Sequence, residues 1–241
     1  MINWGESIHP SNTALKWLPM DTEERYKKHL SQADTREMLE QFGWIDCEIT
    51  YSFNEYGFRC DTFDHKCEIL FNGCSMVEGI GLPLEQTWAK QVADHLNIPY
   101  HSIAISGSDW QYATQRTVAW VPKLKPKILM IKEPPACRLS WWTDENENIS
   151  FDIEDPEIMR DYIDLIATEK NQKWWRYSMK ELTRKVCNEN SCKPIFIPPF
   201  CLNKYGGAPE NCARDLAHPG IIEQNYTKEL VIKKIEENDR M

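Results

Sequence analysis

The sequence predicts an α/β protein built on a mostly parallel sheet. Three observations point there. Short apolar runs at 68–72, 100–105, 127–132 and 194–199 alternate with stretches of helical period, as strands joined by crossover helices do. Turn residues, among them Gly73, Gly107, Pro134 and Pro135, follow the runs. The 241 residues are 41% hydrophobic and 27% charged, the ordinary range for one domain with an extension or at most two small ones.

"DTEERYKKHL" places Asp21 as an N-cap with Glu24 three residues on, a capping box opening a first helix. A second short helix spans about Asp34 to Phe42. "CEITYSFNEYGFRCDTF" alternates loosely, is rich in aromatics and carries Asn54 and Gly57 as turn residues. It predicts a hairpin or two short strands. Residues 1–62 thus form a helical and aromatic extension packed on a core of residues 63–241.

From Lys66 onward strand and helix alternate. The first strand is 68–72. In "LEQTWAKQVADHL", Trp88, Val92 and Leu96 recur every four residues with Ala89 and Ala93 beside them, one apolar helix face. "YHSIAI", 100–105, is a second strand, and "DWQYATQRTVAWV" a helix starting near Asp109. "KILMIK", 127–132, is the most plainly buried strand, stopped by Pro134 and Pro135. An insertion near 136–154 is polar and acidic and carries Trp141 and Trp142. "DPEIMRDYIDLIATEK" opens a helix with Asp155 as N-cap and Pro156 at its first position. A helix from Lys173 to Cys187, a strand at 194–199, a loop at 200–217 and a helix from His218-Pro219 to about Glu237 complete the chain. Trp174 and Trp175, in a predicted helix, read as core packing.

The formal net charge of −9 argues against nucleic acid or an anionic membrane surface as the main partner. Seven Asp or Glu and no Lys or Arg lie between Thr143 and Glu157. No apolar stretch approaches membrane-spanning length. "MINWGESIHPSN" lacks a cationic head followed by an apolar run, which predicts no secretory signal and a cytoplasmic location. The nine cysteines then read as reduced thiols. Their spacings, seven apart for Cys60, Cys67 and Cys74 and five for Cys187 and Cys192, match no C-x-x-C zinc knuckle.

In parallel sheets ligands bind beyond the carboxyl ends of the strands. That rim collects the loops at 73–81, 106–109, 133–138 and 200–218. Ser75 follows the first strand, Gly107 the second, and Asp215 and His218 precede the last helix. A serine needs a base to attack at neutral pH; histidine supplies it, and a carboxylate fixes the imidazole tautomer. Each residue also has an ordinary reading: serine after glycine as a turn, His-Pro as a helix boundary. Cys74, beside Ser75 on an extended chain, points away from it and reads as packing. Trp141 and Trp142 are candidates to line a substrate groove.

The pattern is not the G-x-S-x-G elbow, since position 77 is Val. "FNGCSMVEGIGLPLEQTWAKQVADHL", "IAISGSD" and "DLAHPG" instead resemble the first, second and last blocks of the SGNH (GDSL-type) hydrolases, over about 66–238. The sequence is similar in particular to the bacteriophage-encoded version, in which Gly-Cys-Ser is common and a segment ending in Gly-Phe-Arg, here "YGFR", precedes the first strand. The resemblance implies a three-layer α/β/α, flavodoxin-like fold and a serine esterase. Ser75 would be nucleophile, His218 base and Asp215 its orienting partner, with the Ser75 and Gly107 amides as oxyanion hole. It implies no metal or organic cofactor. It implies a small-molecule or carbohydrate ester, such as an O-acetyl sugar, as substrate, in a host cytoplasm or virion. The third block, Gly-x-Asn-Asp, is absent: "EPPACRLSW" has no Asn, and Arg138 is the candidate donor there, with Glu133 opposing it. The rival reading is a binding protein that kept the fold, with virion or homo-oligomer contacts.

Overall fold

Ile69–Asn72 is an unbroken buried run, and it forms an inner strand of the sheet rather than an edge. The computed structural model describes Gly5 and residues 7–135, 138–142, 148–152, 168–199 and 212–239. The elements in chain order are β1 (Ala14–Leu15), α1 (Glu23–Ser31), α2 (Ala33–Gln41), β2 (Tyr51–Ser52), β3 (Ile69–Asn72) and α3 (Ser75–Glu78). Then come α4 (Trp88–Leu96), β4 (Tyr100–Ser102), α5 (Trp110–Leu124), β5 (Ile128–Lys132), β6 (Arg138–Trp142) and β7 (Asn148–Asp152). The last are α6 (Glu169–Glu189), β8 (Lys193–Ile197) and α7 (Ile221–Asp239).

The main sheet has four strands in the order β4-β3-β5-β8, all parallel. Residues 71 and 72 show how it is covered. Phe71 meets Trp88 of α4 edge to face at 5.1 Å. Asn72, its neighbour, donates to Ala113 and Thr117 of α5. Successive strand residues point to opposite faces, so α4 and α5 lie on opposite sides. Helix α7 packs with α4 and α6 with α5. The predicted three layers, α/β/α, are present. Buried Ile69, Leu70, Phe71, Leu129, Met130 and Ile131 hold the centre, each contributing about 1.5–3 kcal/mol by burial.

Local chemistry sets the helix ends. The Asp109 carboxylate accepts from the Tyr112 amide at 2.8 Å and caps α5. Thr87 caps α4, which stops at Asn97 in the left-handed region. At α1 the expected cap moves by one residue: Thr22, not Asp21, accepts from the Arg25 amide. Asp21 is instead buried in an ion pair with Arg214, which takes its carboxylate away from the helix. The expected hairpin at 47–63 is also replaced. β2 pairs antiparallel with β1, while the Asn54 side chain holds the turn by accepting from the Tyr56 and Phe58 amides.

The N-terminal segment is sealed to the rim by two small apolar clusters. Leu18, Ile49, Tyr51 and Phe53 enclose Ile80; Leu39 and Trp44 enclose Leu82 and Ala213. Arg138–Trp142 and Asn148–Asp152 pair as a separate antiparallel ribbon. The predicted helix after Asp155 and most of the 200–217 loop lie outside the described residues. Trp174 departs from expectation: it is 61% exposed, because α6 buries Thr183, Val186 and Cys187 nearer its other end. Among the described residues no helix is long and apolar enough to cross a membrane.

Candidate active site

The turn after β3 is built around Gly73. Its φ is +149°, and a Cβ there would lie 2.6 Å from Val77 Cγ2 and 2.8 Å from the Lys132 carbonyl oxygen, so only glycine fits. Asn72 shapes the same turn, accepting from the Gly73 amide at 2.8 Å. Buried Cys74 precedes the helix in extended conformation, and Ser75 opens α3. The "YGFR" arginine closes the far end. Arg59 donates to the carbonyls of Glu78 (2.9 Å), Gly79 (2.6 Å) and Leu82 (2.8 Å), and so holds the segment leaving a four-residue helix whose last carbonyls lack partners within it.

Gly107 lies in the loop after β4, at φ +79°. Glu78 joins this loop to the Ser75 turn: one carboxylate oxygen accepts from the Ser106 amide at 2.6 Å. The other is 2.7 Å from His9 Nε2, contributed by the N-terminal segment. From α5, Arg116 Nη2 reaches the same two loops, donating to Asn72 Oδ1 (3.3 Å), the Gly73 carbonyl (3.0 Å) and Ser108 Oγ (2.8 Å).

Asp215 and His218 stand three residues apart in a tight turn. Asp215 Oδ1 accepts from the amides of Ala217 (3.1 Å) and His218 (3.0 Å). Its Oδ2 lies 2.5 Å from His218 Nδ1. Burial alone would raise the Asp215 pKa; the hydrogen bond and charge of His218, with the two amides, outweigh it and hold the carboxyl below its usual range. A neutral imidazole bound to a carboxylate through Nδ1–H carries its lone pair on Nε2, the arrangement of a general base. The Asp215 side chain is fully buried and that of His218 is 16% exposed.

The dyad turn sits against the segment that follows Ser75. The Arg214 amide donates to the Gly81 carbonyl at 3.0 Å. A Cβ on Gly81 would come within 3.2 Å of the Asp215 amide nitrogen. Behind them, Arg214 binds Asp21 through Nε and Nη2, Tyr51 donates to Asp21 at 2.5 Å, and the Gly81 amide donates to Tyr51 at 2.8 Å. Trp44 Nε1 donates to the Cys212 carbonyl at 2.9 Å. Asp215 and His218 are therefore brought together and Ser75 is on the adjoining loop. Among the described residues its hydroxyl makes no hydrogen bond to His218.

Arg138 begins β6, partly buried, with Nη1 unpartnered among the described residues. Trp141 and Trp142 lie on β6, their side chains outside the described residues. Glu133 is not an uncompensated charge, since Arg176 and Lys180 of α6 pair with it. Lys132, at the end of β5, is buried against Glu223 (3.2 Å) and Thr227 (2.9 Å) of α7. Asn72, Glu78 and Arg116 were not singled out from the sequence. A polar residue inside an apolar strand or helix face was the available signal.

No family model matches the sequence, and no curated protein does. Solved structures do match. The psychrotrophic esterase EstA from Pseudoalteromonas sp. is similar at 15% identity, over 72% of this chain and 98% of that one, with a TM-score of 0.40. TesA matches at 16% identity over 68% and 96% of the chains, TM-score 0.36. The acetyl xylan esterase Est2A from the rumen bacterium Butyrivibrio proteoclasticus matches at 10% identity over 72% and 64%, TM-score 0.37.

Proposed function

We propose that this protein is a serine esterase that hydrolyses acyl esters, O-acetyl groups on carbohydrate among them, through Ser75, His218 and Asp215. The observation that carries the reading is the Asp215–His218 hydrogen bond, on a turn packed against the loop that presents Ser75.

In this reading His218 Nε2 takes the Ser75 proton as Oγ attacks the ester carbonyl. The tetrahedral intermediate collapses, the leaving alcohol takes the proton from His218, and an acyl-serine remains. Water, deprotonated by His218, then releases the acid and restores Ser75. Asp215 holds the ring and stabilises the imidazolium. The Ser75 and Gly107 amides face the developing oxyanion, each such donor being worth about 10²–10³ in turnover. Nucleophile–base hydrogen bonds are often loose in free enzymes and tighten with substrate. The chemistry calls on no metal or organic cofactor.

Hydrolysis of p-nitrophenyl acetate and labelling by a serine-directed phosphonate test the reading. The expected result is turnover, covalent mass on the Ser75 peptide, and loss of both in Ser75→Ala. Absence of labelling together with no release of acetate from acetylated sugars would overturn it and leave a binding protein on this fold. The lack of a side-chain oxyanion donor from the third block favours that rival.

A further inference from the structure

Arg116 is a charged side chain with no exposed surface, in the middle of α5, and the reaction above makes no use of it. Its fractional exposure is 0%. Burying a guanidinium is costly, and natural cores keep such a group where it is hydrogen-bonded or paired. Among the described residues no carboxylate bonds to it. Its Nη2 holds three oxygens: Asn72 Oδ1, the Gly73 carbonyl and Ser108 Oγ. Its Nε and Nη1 have no partner among the described residues. The guanidinium carbon lies 4.3 Å from the centre of the Tyr112 ring, so the aromatic face takes part of the charge. Burial draws its pKa down to about 10, with Tyr112, Glu78 and Asp109 acting against that fall; the group is a cation at neutral pH.

The three oxygens are not scattered. Asn72 and Gly73 lead into Ser75, and Ser108 follows Gly107. Ser108 in turn donates to the Ile105 carbonyl at 2.6 Å, so its position is fixed from both sides. One nitrogen therefore spans the two loops whose amides would form the oxyanion hole. A hole made of two amides from separate loops works only if their spacing is held. Here the usual side-chain donor of the third block is missing, which leaves that spacing as the main variable.

We propose that Arg116 is a positioning residue for the oxyanion hole: its buried guanidinium locks the Ser75 turn to the Gly107 loop and sets a full positive charge behind both amides. The assignment rests on the esterase reading of the same site. It differs from a simple packing role in what it predicts for the chemical step. Packing would be felt in stability; positioning is felt in kcat and in the rate at which Ser75 accepts a tetrahedral phosphonate.

The test uses the full chain and the variants Arg116→Lys, Arg116→Gln and Ser108→Ala, assayed well below each variant's Tm. Arg116→Gln is expected to lower kcat for p-nitrophenyl acetate about 10²-fold, the scale of a lost oxyanion donor, with KM changed less than threefold. The Ser75 phosphonylation rate should fall in parallel. Arg116→Lys keeps the charge and loses the fork, so it should recover about a tenth of wild-type kcat. Ser108→Ala, which cuts the link to the Gly107 loop and leaves the cation in place, should lose about tenfold in kcat with its fold intact. Turnover within threefold of wild type in folded Arg116→Gln, or in Arg116→Lys and Ser108→Ala if the glutamine variant does not fold, overturns the proposal. A wild-type protein that neither turns over nor labels at Ser75 is a different failure: it removes the esterase reading, and the positioning role goes with it.

Discussion

Asp21 and Arg214, 193 residues apart in sequence, form a two-pronged ion pair in which Nε meets Oδ1 at 3.0 Å and Nη2 meets Oδ2 at 2.6 Å. Both residues are buried. The pair fastens the N-terminal segment directly behind the turn that carries Asp215. Tyr51 extends it, donating a hydrogen bond to Asp21 and accepting one from the Gly81 amide. One buried carboxylate thus braces the Asp215–His218 turn and the end of the segment that follows Ser75 together.

Removing one partner of a buried pair leaves the other charge uncompensated, at about 3–5 kcal/mol. Asp21→Ala should therefore lose about that much unfolding free energy in urea. Tyr51→Phe removes only the hydroxyl and leaves the Gly81 amide unpaired, which should cost about 1–3 kcal/mol. Equal midpoints for wild type and Asp21→Ala would show that the pair does not brace the fold.

The N-terminal segment should prove inseparable from the sheet core. Ile80, Leu82 and Ala213 belong to the rim, yet their apolar neighbours Leu18, Tyr51, Leu39 and Trp44 come from residues 18–51. A chain starting at residue 63 would expose them and lose the Arg59 clamp. It is expected to be insoluble or to unfold without a cooperative transition by circular dichroism. A soluble, cooperatively folding product would contradict this.

Much of the sheet was legible because its signals are local. Apolar runs bounded by glycine and proline mark β3, β4, β5 and β8, and a four-residue spacing of Trp88 and Val92 marks α4. Asp215 and His218 were legible for the same reason, being three residues apart in one turn. The rest depends on partners far along the chain. Asp21 looks like an N-cap until Arg214 is beside it, and residues 51–52 look like half of a local hairpin until β1 arrives. Glu78 reads as a loop charge and Arg116 as a helix charge; only the folded sheet shows that they join two loops.

Glu78 ties the Ser106 amide to α3, with His9 on its second oxygen. A hydrogen bond to a charged group is worth about 1.5–3 kcal/mol. Glu78→Ala should lose roughly that much stability and lower kcat about tenfold, the Gly107 loop being released. His9→Ala should weaken the same brace by less. Because His9 and Glu78 are in contact, the double variant should show a coupling of about 0.5–3 kcal/mol in a mutant cycle. Additive losses would show that the contact carries no energy.

Thiol reactivity should follow burial. Of the described cysteines, Cys47 alone is not buried. Burial pushes the Cys60 thiol up, and that of Cys67 up to about 12, so neither supplies thiolate at neutral pH. Iodoacetamide at pH 8, read by peptide mass mapping, should mark Cys47 before the other described cysteines, and Cys60 and Cys67 only on denaturation. Early labelling of Cys60 or Cys67 would mean the core opens locally.

The Asp215 carboxyl has a pKa below its ordinary value in the folded protein, because the hydrogen bond and charge of His218 overcome the burial penalty. An aspartate with a depressed folded pKa stabilises the fold fully above its unfolded pKa of about 3.9. That contribution disappears as pH falls through the folded value. Asp215→Asn keeps the shape and cannot titrate. The stability gap between wild type and Asp215→Asn should therefore be flat above about pH 5 and shrink as pH falls below about 4. At neutral pH the same variant should lose about 10³–10⁴ in kcat, since an amide presents the wrong partner to Nδ1 and disfavours the imidazolium. A stability gap unchanged down to pH 2 would mean that the carboxylate of Asp215 is not what holds His218 in place.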